Sequence, residues 1–222
     1  MAEPRVSYAS TQDLSLLASH AVLRNTYLLL ALTLIFSAMT AGAAMLLNMP
    51  YLGPLVTLGG YFGLLFLTFR LRNSAWGLLS VFALTGFMGL TLGPLLSAYL
   101  QSVPNGAQLI ATAFGLTGAI FLSLSAYALI SRKDFSFMAG FITVGMVALL
   151  GIIVIGLFVD LSAFQLAISA GIVLLMSGFI LFQTSAILHG GETNYIMATI
   201  SLYVSIYNIF VNLLAILGMG DD

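Results

Sequence analysis

Cysteine is absent from all 222 residues. Disulfides, thiolate metal centres and cysteine nucleophiles are thereby excluded, and the redox compartment stays undecided. Charge is nearly as scarce, with six Lys and Arg against seven Asp and Glu for a formal net charge of -1. Such a chain has no basic field to hold nucleic acid, so no nucleic-acid partner is expected. Histidine occurs only twice, as His20 and His189, without the i, i+4 spacing of a metal pair. Both read as interfacial residues. Intramembrane proteases need a Ser-His pair, two membrane-embedded aspartates or zinc ligands on a helix, and none is recognisable. The sequence therefore points away from an enzyme, and no catalytic residue, metal ligand or cofactor is expected.

What the chain has in excess is hydrocarbon. It is 61% hydrophobic with 6% charged residues, and its mean hydropathy of +1.13 lies far outside the globular range. The expected fold is all-α, a polytopic membrane protein whose partner is the lipid bilayer. Seven apolar segments cover roughly 26–47, 54–70, 76–100, 107–130, 136–159, 163–188 and 195–219, each near the length a helix needs to cross a bilayer. Their connections are short, so neighbouring helices run antiparallel. This divides the chain into an N-terminal tail, 1–24, and a seven-helix transmembrane domain, 25–222.

Within the tail, Ser10 and Asp13 have the spacing of a capping box, and Leu14, Leu17, Ala18 and Ala21 recur at helical intervals. The pattern reads either as a short amphipathic helix on the membrane surface or as a loose tail. It is not the pattern of a signal peptide, because the apolar run starts only after some 25 residues. Arg5 and Arg24 precede the first segment, Arg70 and Arg72 separate the second from the third, and Arg132 and Lys133 separate the fourth from the fifth. With seven spans all six basic residues fall on one side, which the preference of Lys and Arg for the cytoplasm makes the inner one. The N-terminus is then cytoplasmic, and Asp221 and Asp222 lie across the membrane.

Small residues mark places of close approach: Gly59 and Gly63 form a GxxxG in the second segment, and Gly86, Gly89 and Gly93 line the third. Pro94 follows directly and removes a backbone hydrogen bond, so Gly93 and Pro94 mark an expected kink. It is either a packing feature or, as in transporters, part of a cavity wall.

The polar inventory of the spans is neutral. Arg70, Arg72, Arg132, Lys133, Asp134, Asp160 and Glu192 all fall near segment ends, leaving Gln183, scattered Ser and Thr such as Thr91 and Ser123, and one ordered pattern. In the seventh segment Ser201, Ser205, Asn208 and Asn212 fall within an arc of roughly 60° at helical geometry, a polar stripe on an otherwise apolar helix. Such a stripe is expected to face other helices or a wet cavity rather than lipid. It serves either as interhelical glue or as an ion path. Amides and hydroxyls do not titrate near neutral pH, so a pH gate built from them alone is not expected.

Five stretches, LTGFMGLTLGP at 84–94, ATAFGLTGAIFLSLSAYAL at 111–129, SRKDFSFMAG at 131–140, GFILFQTSAILHGGETNYI at 178–196 and SLYVSIYNIFVNLLAILG at 201–218, together resemble the Bax inhibitor-1 family, most closely its bacterial YccA-like branch. The resemblance covers nearly everything from residue 22 onward and implies a seven-helix bundle with the seventh helix at its centre. It also implies two functions. Some members are pH-sensitive calcium leak channels, gated by one aspartate on the sixth helix and one on the seventh, with a basic residue from the end of the second helix nearby. YccA-like proteins of the bacterial inner membrane instead modulate the FtsH protease, with the cytoplasmic tail as the exposed handle. The first expectation meets a departure, because the aspartate positions are occupied by Gln183 and Ser205, while Arg70 and Arg72 stand nearest the basic position. A protonation-driven gate should be missing with them, and Gln183 and Ser205 are expected at most to form a neutral latch between two helices. Modulation of FtsH as a non-enzymatic membrane protein is the first expectation, and a calcium or other cation leak is the alternative.

Overall fold

The computed structural model describes residues 11–219, with side chains from Ser19 onward. The helices are α1 (Thr11–Leu46), α2 (Pro54–Leu71), α3 (Trp76–Ser102), α4 (Gly106–Ser131), α5 (Ala139–Gly156), α6 (Gln165–Leu188) and α7 (Tyr195–Met219). Among the described residues all seven are long and apolar enough to cross a membrane. Single 3-10 turns, Ser136–Met138 and Ser162–Phe164, lead into α5 and α6.

α1 corrects one expectation. It runs without a break from Thr11 through Leu46, so its first turns continue the spanning helix and are not a separate helix lying on the surface. Ser10 and the side chains of Asp13, Leu14, Leu17 and Ala18, which carried the capping and amphipathic patterns, lie outside the described residues.

Local chemistry sets the boundaries. Gly53 takes the left-handed φ of 78° that a side chain would resist, and Pro54, whose missing N–H costs nothing in a first turn, opens α2. Asp134 and Asp160 each accept a hydrogen bond from the backbone N–H two residues on, at Ser136 (2.8 Å) and Ser162 (2.9 Å). These N–H groups, helped by the serine hydroxyls, hold both carboxyls below the usual carboxylate range.

α7 is central. It packs against α1, α3, α4 and α6, and the largest buried cluster gathers Leu30, Leu84, Met176, Ile180, Leu202 and Tyr203 from α1, α3, α6 and α7. α2 rests on α3 and α5 on α6, without extended contact with α7 or with each other. Each of these two outer helices has one buried residue, Thr68 and Ile142. Since lipid is as apolar as a leucine side chain, the order of the bundle comes from close packing and from hydrogen bonds between helices.

The closest packing joins α1 to α3. A Cβ added at Gly89 would run into Thr40 Oγ1 and the Ser37 carbonyl oxygen, and one at Gly93 would stand 2.5 Å from Ala44 Cβ and 2.8 Å from the Ala41 carbonyl oxygen. The small residues of α3 thus permit backbone contact as expected. Those of the α2 GxxxG do not: a Cβ at Gly59 or Gly63 would meet nothing within 4 Å. Gly60, one position along, faces Phe87 of α3 instead. α3 continues through Pro94 to Ser102 as one helix.

Candidate functional site

The start of α7 is fixed by Asn194. Its Oδ1 accepts from the N–H groups of Ile196 (3.0 Å) and Met197 (3.1 Å), satisfying two donors the first turn leaves open. Its Nδ2 donates to the Arg72 carbonyl (3.1 Å) and to Asn73 Oδ1 (2.9 Å), which pins α7 to the α2–α3 turn. The α4–α5 turn is tied to the same end of the bundle, where Ser185 Oγ donates to the Lys133 carbonyl and accepts from the Phe135 N–H. Arg70, Arg72, Arg132 and Lys133 therefore gather at one end, with Arg24 in the α1 segment that approaches it.

From that end a half-open cleft of about 710 Å³ runs between α2 and α5. Its walls are Leu58, Phe62, Phe66 and Phe69 on one side and Met146, Leu149, Leu150 and Ile153 on the other. α3, α6 and α7 form the floor, where Thr91, Ser201, Tyr207 and Asn208 supply the polar atoms. Thr57 and Phe69 are twelve steps apart on α2, so the cleft extends about 18 Å along the helix at 1.5 Å per residue.

The polar stripe is divided by this geometry. Ser201 and Asn208 reach the cleft, Ser205 is completely buried, and Asn212 is half-buried beyond the cleft lining. Three of the four bond to their own helix: Ser205 Oγ donates to the Ser201 carbonyl, Asn208 Nδ2 to Val204 and Asn212 Nδ2 to Asn208, each at 2.8 Å. Back-bonding of this kind satisfies the donors without binding another helix. Gln183 is also buried, 5% exposed, and its Nε2 has no hydrogen-bond partner. No hydrogen bond joins Gln183 to Ser205. Arg72 is not drawn to them either, since Ser205 lies eleven residues beyond Asn194, about 16 Å deeper along the axis. Its guanidinium sits 4.4 Å over the Phe69 ring.

The strongest interhelical bond on α7 is on its other face, at a residue the sequence pattern did not mark. Tyr203, 1% exposed, donates from its hydroxyl to the Thr85 carbonyl (3.3 Å) and accepts from Ser37 Oγ (2.6 Å). One side chain thus links α1, α3 and α7 beside the Gly89 contact. Weaker ties run from Tyr207 to Thr91 (3.5 Å) and from Tyr99 to the Leu214 carbonyl (3.3 Å). Tyr203→Phe should lower the stability of the purified protein by about 1–3 kcal/mol, because Ser37 is left buried without its acceptor. Thermal unfolding in detergent measures this, and an unchanged midpoint would remove Tyr203 from the account.

Titratable chemistry stays at the ends. No group of three His, Asp or Glu able to hold a metal occurs among the described residues. His189 closes α6 instead, its Nδ1 at 2.9 Å from the Ser185 carbonyl oxygen.

A seven-helix bundle with a central α7 and a polar-floored lateral cleft defines a polytopic membrane protein. Residues 19–222 match the family described as inhibitor of apoptosis-promoting Bax1, and the chain belongs to this Bax inhibitor-1 family. It is 60% identical over 203 residues to an uncharacterized protein of Pseudomonas aeruginosa, covering 90% of this chain and 91% of that one. It is 52% identical over 217 residues, 98% of both chains, to the Escherichia coli protein named modulator of FtsH protease YccA. An uncharacterized membrane protein of Vibrio cholerae is 47% identical over 207 residues, 93% of this chain and 92% of the other.

Proposed function

We propose that this protein is a non-enzymatic, multi-pass protein of the bacterial inner membrane that binds the FtsH protease complex and modulates its activity. The observation that carries this reading is the 52% identity, over 98% of both chains, to the Escherichia coli protein named for that role. Another relative with the same identity and coverage is named an inner membrane protein. The grouping of basic residues at one end of the bundle supports a cytoplasmic N-terminus, with residues 1–24 as the exposed handle in this reading.

Deleting residues 1–20 tests it. The remaining 26 residues of α1 suffice to span a bilayer, so the bundle should keep its unfolding midpoint. Co-purification with FtsH from membranes should be lost, and with it the effect on degradation of a membrane substrate. Retained association and modulation would move the binding surface to the bundle.

A second reading, a cation leak, is favoured by Ser201 and Asn208 on the cleft floor. Asn212 is next on the stripe, Arg70 and Arg72 stand at the mouth, and Gly93 and Pro94 lie in α3, whereas Gln183 and Ser205 are buried outside the cleft lining. Calcium entry into proteoliposomes is its measure, and flux through the unmodified protein would raise this reading to first place.

A further inference from the structure

We propose that the cleft between α2 and α5 is a binding site for an anionic phospholipid, its acyl chain lying between the two helices and its headgroup phosphate held by Arg72 and Arg70. The cleft matches one leaflet in length: a hydrocarbon core of about 30 Å leaves about 15 Å for each layer of acyl chains, against about 18 Å of cleft. Its walls are aliphatic and aromatic carbon, contributed by two helices that leave a gap between them, so the opening is lateral and chains can enter from the bilayer.

The mouth supplies the charge. Phe69 is the wall residue nearest the basic end, and the Arg72 guanidinium stacks on its ring at 4.4 Å. Arg70 stands four residues after Phe66, hence on the same side of α2 as that wall residue. No acidic side chain lines the cleft. The carboxylate nearest in the chain to the α7 cap, Glu192, is turned onto the Asn194 backbone N–H at 2.7 Å. Arg72 lends its carbonyl to Asn194, while among the described residues its guanidinium meets the Phe69 ring and no carboxylate. Two arginines at the inner end of a chain-sized apolar cleft suit a phosphate diester on the cytoplasmic leaflet. Assignment to that leaflet rests on the orientation proposed above; the binding itself does not, and it is tested in detergent, where orientation plays no part.

The experiment is native mass spectrometry of the full chain released from micelles containing equimolar phosphatidylglycerol and phosphatidylcholine. The unmodified protein should retain one phosphatidylglycerol with roughly tenfold preference. Arg70→Gln with Arg72→Gln should abolish the preference while leaving some lipid bound, and Leu150→Trp, which fills the cleft from its exposed wall, should remove adducts of both lipids. Glycerol 3-phosphate at millimolar concentration should not compete. Equal retention of the two lipids, an unaltered preference in the double variant, adducts that survive Leu150→Trp or displacement by glycerol 3-phosphate would each overturn the proposal. So would a photocrosslinker at position 150 that captures a protein helix rather than lipid in native membranes.

Discussion

Gly89→Leu should destabilise the bundle by about 3 kcal/mol or more, since overpacking typically costs 1–3 kcal/mol even where side chains rather than backbone can yield. At Gly89 the first added carbon would already collide with the Ser37 carbonyl oxygen and Thr40 Oγ1. A backbone carbonyl in a helix cannot swing aside without moving α1, and Ser37 also donates to Tyr203. The insult is therefore expected to reach α7. Gly63→Leu is the control, because nothing lies within 4 Å of its added Cβ, and it should stay within about 0.5 kcal/mol of the parent. Thermal unfolding and gel filtration in the same detergent compare the two. Equal midpoints for both variants would mean that α1 and α3 do not meet at Gly89.

Gln183→Asp combined with Ser205→Asp should make stability strongly pH-dependent. The two positions are 5% and 0% exposed, and among the described residues no cationic side chain is bonded to either. Burial raises the folded-state pKa of a carboxyl above its unfolded value near 4. Above that value the unfolded chain has released protons that the native state retains, so stability falls as pH rises until the native group itself ionises. A rise of two units on one carboxyl amounts to about 3 kcal/mol, at about 1.4 kcal/mol per unit. The gap in unfolding midpoint between variant and parent should thus widen from pH 5 to pH 8. If added calcium closes the gap at pH 8 and calcium entry into proteoliposomes appears with it, the two positions can host a cation site that the natural residues lack. A gap that stays constant with pH would show that water already reaches both positions.

The seven spans were legible because crossing a bilayer is a local demand, met by the hydropathy of each stretch in isolation. The expected segments agree with the helices to within a few residues, apart from the extension of α1 back to Thr11. Which face of a helix points inward is a weaker signal in lipid, since both faces are apolar. Gly59 and Gly63 accordingly carried the same pattern as Gly89 and Gly93 yet stand open, and only the partner helix distinguishes them. The stripe on α7 was visible, but its division was not, because back-bonding to the helix and exposure to the cleft depend on what α2 and α5 leave uncovered. Tyr203 gave no signal at all. Its partner Ser37 is 166 residues away, and a tyrosine among apolar neighbours reads as core.

The central place of α7 governs how the chain must be assembled. α7 is synthesised after all four helices it packs against, so the newly made bundle stands for a time with its axis unfilled. During that interval Ser37, the Thr85 carbonyl and the α6 surface await partners that have not left the ribosome. Insertion of α7 then closes contacts of the longest sequence separation in the fold, a slow class of event that exposes intermediates. A ribosome stalled before residue 195 would release six correctly inserted helices around a polar-edged hollow, a form distinguishable from the finished protein by a membrane quality-control system.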